Sequence, residues 1–482
     1  MLNPTTTLFW LILFATGFTL AGVLYARRSI DTVEEYIVAR NSQTTTATML
    51  TLMATSLGAW ILFAPAQAAA WGGLGAIIGY ALGAMAPRFA IIPLGHRIRT
   101  LVPEGHTLSE VVLARYGYGM YGLILLIMVF YLFIAITAEI TAIAKLVALL
   151  APIPLGITAL IVLSSTLIYT AYGGLKASIF TDKIQMLIIL PLLGLLITLG
   201  WQAAGDITII KANLRQHAPQ LLNWNDPGGI RAGITFFVAI LLTGLFHQGN
   251  WQRIYAAKST TAMRHGFLLA GVLVAPIIGI MGVFGLAFAA QGSNADSSTA
   301  LFSLLLPTLA PWAMVAIIPL GLALVMSSAD TAISATSSLI AVDVRRFFPA
   351  ISNTNLMRLA RLLIVPLMIP VWLTVSQGYS VLYLFLLADI LCSAAAFPVF
   401  FGLFNSRYSG RVAILSTVTG LVCGLSIFPG PNDPPTLLLE SFLLAALVPV
   451  IVSIIALPFV PTKKHYDFGQ LNTLIRRLDH PS

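Results

Sequence analysis

Apolar runs of membrane-crossing length follow one another along the chain, separated by short loops that hold most of the charge. About thirteen such runs are expected to be helices that cross a bilayer, at 7–26, 46–70, 73–96, 119–150, 152–172, 184–205, 231–250, 266–291, 299–342, 356–377, 379–405, 411–430 and 437–460. Polar and apolar residues do not alternate within them, which excludes a barrel of strands. The run at 299–342 is too long for one crossing. Pro307 and Pro311 interrupt it, so a short helix near 299–309 is expected before a span at 313–342. No basic residue precedes the first run and no small-residue cleavage site follows it, so it reads as a retained span and not as a signal peptide. The longest outer loop, 205–229, carries Trp224 and a turn-like Asn225-Asp226-Pro227-Gly228-Gly229. No loop is long enough for a soluble domain, and the expectation is one integral membrane domain over 1–482 with a short tail at 461–482.

Composition sharpens this picture. Of 482 residues, 58% are apolar and only 9% are Asp, Glu, Lys or Arg, against about 25% in soluble domains. So few charges cannot cover a water-soluble globule of this length. A soluble enzyme, a disordered chain and a nucleic-acid binder are excluded. The net charge of +9 follows from topology. An odd number of spans puts the termini on opposite sides, and the positive-inside rule then places the N-terminus outside and the C-terminus in the cytoplasm. The cytoplasmic loops hold Arg27, Arg28, Arg40, Arg97, Arg99, Arg115, Lys176, Lys183, Arg253, Lys258, Arg345 and Arg346, and the tail adds Lys463, Lys464, Arg476 and Arg477. The outer loops hold Lys211, Arg215 and Arg231, while Arg88 and Lys145 fall within spans. The expected location is the plasma (cell inner) membrane, with the basic loops against anionic lipid and no nucleic-acid partner. The two cysteines, Cys392 and Cys423, lie in apolar runs without metal or disulfide spacing and read as small core residues.

Polar groups inside apolar spans are costly, so they mark candidate chemistry. In the ninth span Ser327, Asp330, Thr331 and Ser334 fall at i, i+3, i+4 and i+7, on one helix face. Hydroxyls and a carboxylate together suit a hard cation; helix packing through small residues is the alternative. The second span contains Met53-Ala54-Thr55-Ser56-Leu57-Gly58-Ala59-Trp60 and then Pro65. Gly58 and Pro65 weaken the backbone ladder there, and carbonyls freed at membrane depth can bind a cation. The seventh span ends Gly244-Leu245-Phe246-His247-Gln248-Gly249-Asn250-Trp251-Gln252-Arg253, which reads either as a gate or as an interfacial loop with a Trp anchor. His247 there is a proton site or a hydrogen-bonded structural group. Between spans five and six, Gly173-Gly174 is expected to make a tight turn, with Asp182 capping or just inside the next helix.

That hairpin, Tyr169-Thr170-Ala171-Tyr172-Gly173-Gly174-Leu175-Lys176-Ala177-Ser178 through Gln185, resembles the first signature of the sodium:solute symporter family, the sodium/glucose, sodium/proline and sodium/pantothenate-like carriers. Trp251-Gln252-Arg253 with Ala256-Ala257-Lys258-Ser259, and Met326-Ser327-Ser328-Ala329-Asp330 followed by Ser338 and Asp343, are similar to further family motifs. The resemblance runs from about Val33 to Val460.

The resemblance implies an all-α polytopic fold with an inverted five-plus-five helix (LeuT-type) core at about 46–405. Spans 2–6 and 7–11 would form the repeats, with spans 1, 12 and 13 peripheral and spans 2 and 7 broken. It implies a sodium ion between spans 2 and 9, held by the carbonyls of Ala54, Leu57 and Leu324 and the hydroxyls of Ser327 and Ser328. Asp182, with Asp330, would lie on the ion's exit path. Such neutral oxygens suit a monovalent ion that can leave again. Candidate solute contacts are Ser56, Trp60, Gln67, Tyr80, Glu139, Phe246 and Asp389. Trp60-Ile61 after the break looks more like the proline and pantothenate branch than the sugar carriers. The expected function is sodium-coupled symport of a small organic solute (amino acid, carboxylate, urea or pantothenate-like) by alternating access, with Na+ as coupling ion and no other cofactor. A proton-coupled carrier of the same fold and a non-transporting solute sensor are the alternatives. No HExxH or GxSxG motif points to an enzyme.

Overall fold

A computed structural model describes residues 2–29, 32–292, 296–431, 433–460 and 466–478, with the side chains of residues 28 and 29 excepted. Lys463 and Lys464 of the tail, and the Arg28 side chain, lie outside the described residues. The helices run, in order, α1 (Pro4–Ser29), α2 (Val33–Ile37), α3 (Thr45–Ser56), α4 (Ala64–Leu101), α5 (Leu108–Tyr116), α6 (Tyr118–Leu150), α7 (Leu155–Ala204), α8 (Ile207–His217), α9 (Pro227–Gly244) and α10 (Gln248–Ala256). There follow α11 (Thr260–Ala289), α12 (Ala300–Leu305), α13 (Pro311–Phe347), α14 (Asn353–Val375), α15 (Val381–Phe401), α16 (Gly410–Leu425), α17 (Leu438–Ala456) and α18 (Gln470–Leu474). Ten of the described helical segments are long and apolar enough to cross a membrane. The bends in α4 and α7 and the shorter apolar α16 are where the thirteen expected spans depart from that ten.

Hydroxyl and carboxylate side chains start half of these helices by accepting otherwise unpaired N–H groups. Thr44 caps α3, Ser259 caps α11 and Asp226 caps α9, while Thr107 and Glu110 form a capping box on α5. The 225–229 segment is therefore a helix start and not the expected free turn, with Pro227 in the first turn where its missing N–H is harmless. The 205–229 loop also holds α8.

The expected turn between spans five and six is made at Gly174 (φ 51°, ψ −148°), which leaves the helical region and divides α7 (Leu155–Ala204) into two helical segments. A Cβ at Gly174 would strike the Tyr36 carbonyl, so close approach and positive φ both require glycine. Asp182 consequently lies two turns inside a helix and does not cap one. Gly73 (φ 56°) bends α4 in the same way, against the backbone of Leu221.

Burial orders the helices around a centre. Of the most apolar stretch of α13, 78% is buried, against 28% for α1 and 22% for the stretch containing α17. Leu20, Leu24, Leu187, Ile369, Ile451 and Ile454 project outward from α1, α7, α14 and α17, as lipid-facing side chains do. The expected short helix before span nine is α12, and Pro311 then opens α13.

Candidate ion and solute site

The second span is broken, as its Gly58 and Pro65 suggest. α3 stops at Ser56, Leu57 (φ −94°, ψ 67°) and Gly58 (φ −79°, ψ 175°) leave the helix, a single tight turn follows at Ala59–Leu62, and α4 begins at Ala64. Gly58 has no side chain to cap that turn. The cap comes from another helix: Glu139 of α6 accepts the Ala59 N–H at 2.7 Å. A Cβ on Gly58 would overlap the same carboxylate.

The break frees carbonyls, and α13 meets them. The Ser327 hydroxyl donates to Ala54 O (3.1 Å) and to Leu324 O (3.0 Å). The Ser328 hydroxyl donates to Leu324 O (3.0 Å) and Val325 O (3.2 Å). Each hydroxyl that donates its proton keeps lone pairs for a cation. Ala54, Leu57, Leu324 and Ser327 are fully buried and Ser328 is 7% exposed. The structure thus brings Ala54, Leu324, Ser327 and Ser328 together, with Leu57 at the break itself. Neutral oxygens of this kind fit a small monovalent cation. Among the described residues no cluster of His, Cys, Asp and Glu offers a transition-metal site.

The polar face of α13 continues below that point. Asp330 accepts from Tyr169 (2.7 Å), Ser178 (2.7 Å) and Thr181 (3.1 Å), all on α7. Asp182 pairs with Arg253 at 3.0 Å, and both side chains are buried. Arg253 also donates to Thr51 (2.9 Å), Thr331 (2.9 Å) and Gly249 O (3.1 Å). Asp182 additionally accepts from Thr51. One guanidinium therefore ties α3, α7, α10 and α13 together. The charge count over cytoplasmic loops had placed Arg253 in water; α10 folds it inward instead. The seventh span is broken at 245–247, and every residue of α10 is buried. Trp251 is no interfacial anchor: it is buried, donates to Leu245 O at 2.7 Å and stacks on Phe400. His247 caps α10 by accepting the Gly249 N–H at 3.1 Å, the structural role of the two considered.

Beside the Ser328 hydroxyl lies a cavity of about 130 Å³. Ser56, Trp60, Tyr80, Glu139 and Asp389 of the expected solute contacts line it. Gln67 and Phe246 do not: Gln67 accepts from Ser380 at 2.9 Å, and Phe246 is buried against Phe400. Trp60 stacks on Tyr80, with ring centres 5.6 Å apart, and meets the edge of Phe385 at 5.9 Å. Sequence reasoning missed Arg88, Tyr131, Thr243 and Asn250, which also line the cavity. Arg88 was visible as a charge in an apolar span just after Pro87; nothing in the pattern told which neighbours it faces.

A further constellation, outside the spans, was also missed. His106 is buried between Glu34 (2.5 Å) and Glu110 (3.2 Å). Burial alone would lower the imidazole pKa, but the Glu110 and Glu34 carboxylates hold it up at about 9. Burial likewise works to raise the Glu34 carboxyl, yet His106 and Arg40 bring it down to about 2. Gln248, the first residue of α10, bonds to both sides of this cluster, through His106 O (2.9 Å) and the Leu108 N–H (3.1 Å). The tail reaches it too, with Leu478 N–H donating to Glu34 at 3.2 Å.

Against known proteins, the sequence model of the sodium:solute symporter family matches residues 36–420. The chain is 24% identical over 424 residues to a spermidine transporter of Candida albicans, covering 87% of this chain and 79% of that one. It is 26% identical over 454 residues to sodium/glucose cotransporter 4 of Mus musculus, covering 83% of this chain and 65% of the relative. Among solved structures, it resembles a Na+-coupled sialic acid symporter in a substrate-bound, outward-open state, with a TM-score of 0.76, 19% identity and coverage of 95% and 99%. It also resembles a nucleobase-cation-symport-1 family transporter in a closed conformation with bromovinylhydantoin bound, with a TM-score of 0.58, 12% identity and coverage of 91% and 98%. The two solved structures share the helical fold of this chain, in which residues of both broken spans and Ser328 of α13 line one cavity. The chain belongs to the sodium:solute symporter family, a family of membrane carriers.

Proposed function

We propose that the protein is a sodium-coupled symporter that accumulates a small organic solute by alternating access. It would work as one membrane unit with its core at about 46–405, N-terminus outside and C-terminus in the cytoplasm of a plasma (cell inner) membrane. The observation that carries this reading is the contact between the broken second span and α13, where Ser327 reaches Ala54 O at 3.1 Å. Sodium would be held there by the carbonyls of Ala54, Leu57 and Leu324 and the hydroxyls of Ser327 and Ser328. It would leave past Asp182 and Asp330 once the Arg253 ties part. The solute would occupy the adjacent cavity, whose wall includes Ser328 itself. Ion and solute thus share a wall, which is the physical basis for coupling: filling one site orders the other.

The driving force is adequate. One charge crossing 100 mV releases about 2.3 kcal/mol, and a tenfold sodium gradient adds about 1.4 kcal/mol. Together they sustain roughly 500-fold accumulation of a neutral solute. The spermidine transporter and the sodium/glucose cotransporter among the relatives point to different solutes, so the cavity's own chemistry must choose.

The test is binding of radioactive sodium to purified protein, with uptake by liposomes under a sodium gradient and with choline in place of sodium. Saturable sodium binding that is weakened at least tenfold in Ser328→Ala supports the reading. Uptake that ignores sodium and follows an imposed pH gradient replaces it with a proton-coupled carrier.

A further inference from the structure

Arg88 has no acidic partner within ion-pairing distance among the described residues. Its guanidinium donates to Ala84 O and to the Ser56 hydroxyl, and its Nε is buried with no partner at all. An arginine keeps its charge in any protein environment, and a charge inside a membrane span costs several kcal/mol unless an anion meets it. Arg88 lines the cavity, so that anion can arrive from the cavity.

The same wall holds two carboxylates, and only one is uncommitted. Glu139 is occupied by the Ala59 N–H of the broken span. Asp389 of α15 is buried and lines the cavity, makes no ion pair among the described residues, and has the Thr243 hydroxyl beside it. Tyr131 lines the same cavity and lies within electrostatic reach of both Arg88 and Asp389. Trp60, Tyr80 and Phe385 supply aromatic faces to the same cavity, with Tyr80 within electrostatic reach of Asp389.

Resting on the carrier reading above, we propose that the solute is a zwitterion with an apolar body, of amino-acid size. Its carboxylate meets Arg88 and Ser56. Its amine or quaternary ammonium meets Asp389 beside Tyr80 and Trp60, where an aromatic face also attracts a cation. A polyamine would bring like charge to the buried guanidinium. A sugar would leave both charges unmatched, and a simple carboxylate would leave Asp389 unmatched.

The test uses purified full-length protein in nanodiscs with sodium present. The probes are the twenty protein amino acids and glycine betaine, the amide and N-acetyl derivatives of each amino acid that binds, and spermidine, glucose and lactate. At least one zwitterion is expected to bind, with tenfold or greater loss when either end is masked. Arg88→Gln should erase the preference for the free acid over its amide. Asp389→Asn should erase the preference for the free amine over its N-acetyl form. Arg88→Lys, which keeps the charge in place, should retain the acid preference at reduced affinity and guards against a folding defect in Arg88→Gln. Binding of spermidine, glucose or lactate in preference to every zwitterion, or binding of no zwitterion, overturns the inference. Radioactive sodium binding on the same samples separates the two claims. Sodium bound without any zwitterion sinks this proposal alone, and a zwitterion bound and transported without sodium sinks the coupling alone.

Discussion

The buried Arg253–Asp182 pair permits a quantitative perturbation. At 3.0 Å and an effective dielectric of 20, the gross attraction is about 5.5 kcal/mol, and desolvation of the two ions offsets most of it. The asymmetry lies in removing one partner. In Arg253→Met, Asp182 keeps only the Thr51 hydroxyl, and its second oxygen already lacks a partner. A stranded buried charge costs about 3–5 kcal/mol, so an apparent melting temperature should fall by roughly 5 °C or more. Asp182→Leu strands Arg253 and should cost as much. The double variant Arg253→Met/Asp182→Leu removes both ions and should recover to within about 1 kcal/mol of the parent. Transport should not recover with it. The guanidinium joins α3, α7, α10 and α13, which the proposed alternating access would require to part and rejoin. Thermal unfolding in detergent gives the first quantity and liposome uptake the second. If the double variant is as unstable as the sum of the two single ones, the pair is not a coupled unit and the argument fails.

Other expectations follow from single contacts. Gly58→Ala puts a methyl group on the Glu139 carboxylate; overpacking of this kind costs about 1–3 kcal/mol, and sodium half-saturation should rise by tenfold or more in a radioactive-sodium titration. Gly174→Ala meets both a positive φ and the Tyr36 carbonyl and should destabilise by about 1–3 kcal/mol, whereas Gly194→Ala, in the same helix with nothing within 4 Å, should leave the melting temperature unchanged or slightly higher. His106 has its pKa raised to about 9, so its stabilising contribution is complete below 6.5 and is lost as pH rises through 9. Glu34, lowered to about 2, contributes above 4.5 and loses that only as pH falls through 2. The melting temperature should therefore decline between pH 6.5 and 9, and His106→Gln should be less stable with that decline removed.

Hydropathy made the helices legible because lipid imposes its demand on each span separately. The broken second span was legible for a local reason as well: Gly58 and Pro65 weaken a helix wherever they stand. The turn at Gly173-Gly174 was legible because glycine alone takes a positive φ without strain, and Gly174 does so. That Tyr36, far off in sequence, packs against Gly174 could not be read from the local pattern. Arg253 was misplaced for a similar reason. A charge near the end of an apolar run ordinarily meets water, but here Asp182, Thr51 and Thr331 on three other elements replace the water.

Glu139 carries the same lesson into the site itself. As a lone carboxylate in a span it resembles a solute ligand, and it does line the cavity. Its oxygen nevertheless bonds the Ala59 N–H at 2.7 Å, so it holds open the break that frees the carbonyls facing Ser327. On the carrier reading proposed above, a residue in that position would act on the ion through the backbone and on the solute through the cavity wall. Asp389, by contrast, accepts no backbone N–H among the described residues and lines the cavity. The two acids look alike in the sequence. Their surroundings differ, since one bonds an unwound helix and the other lines the cavity, and on the proposed reading only the second would be free to select a solute by charge.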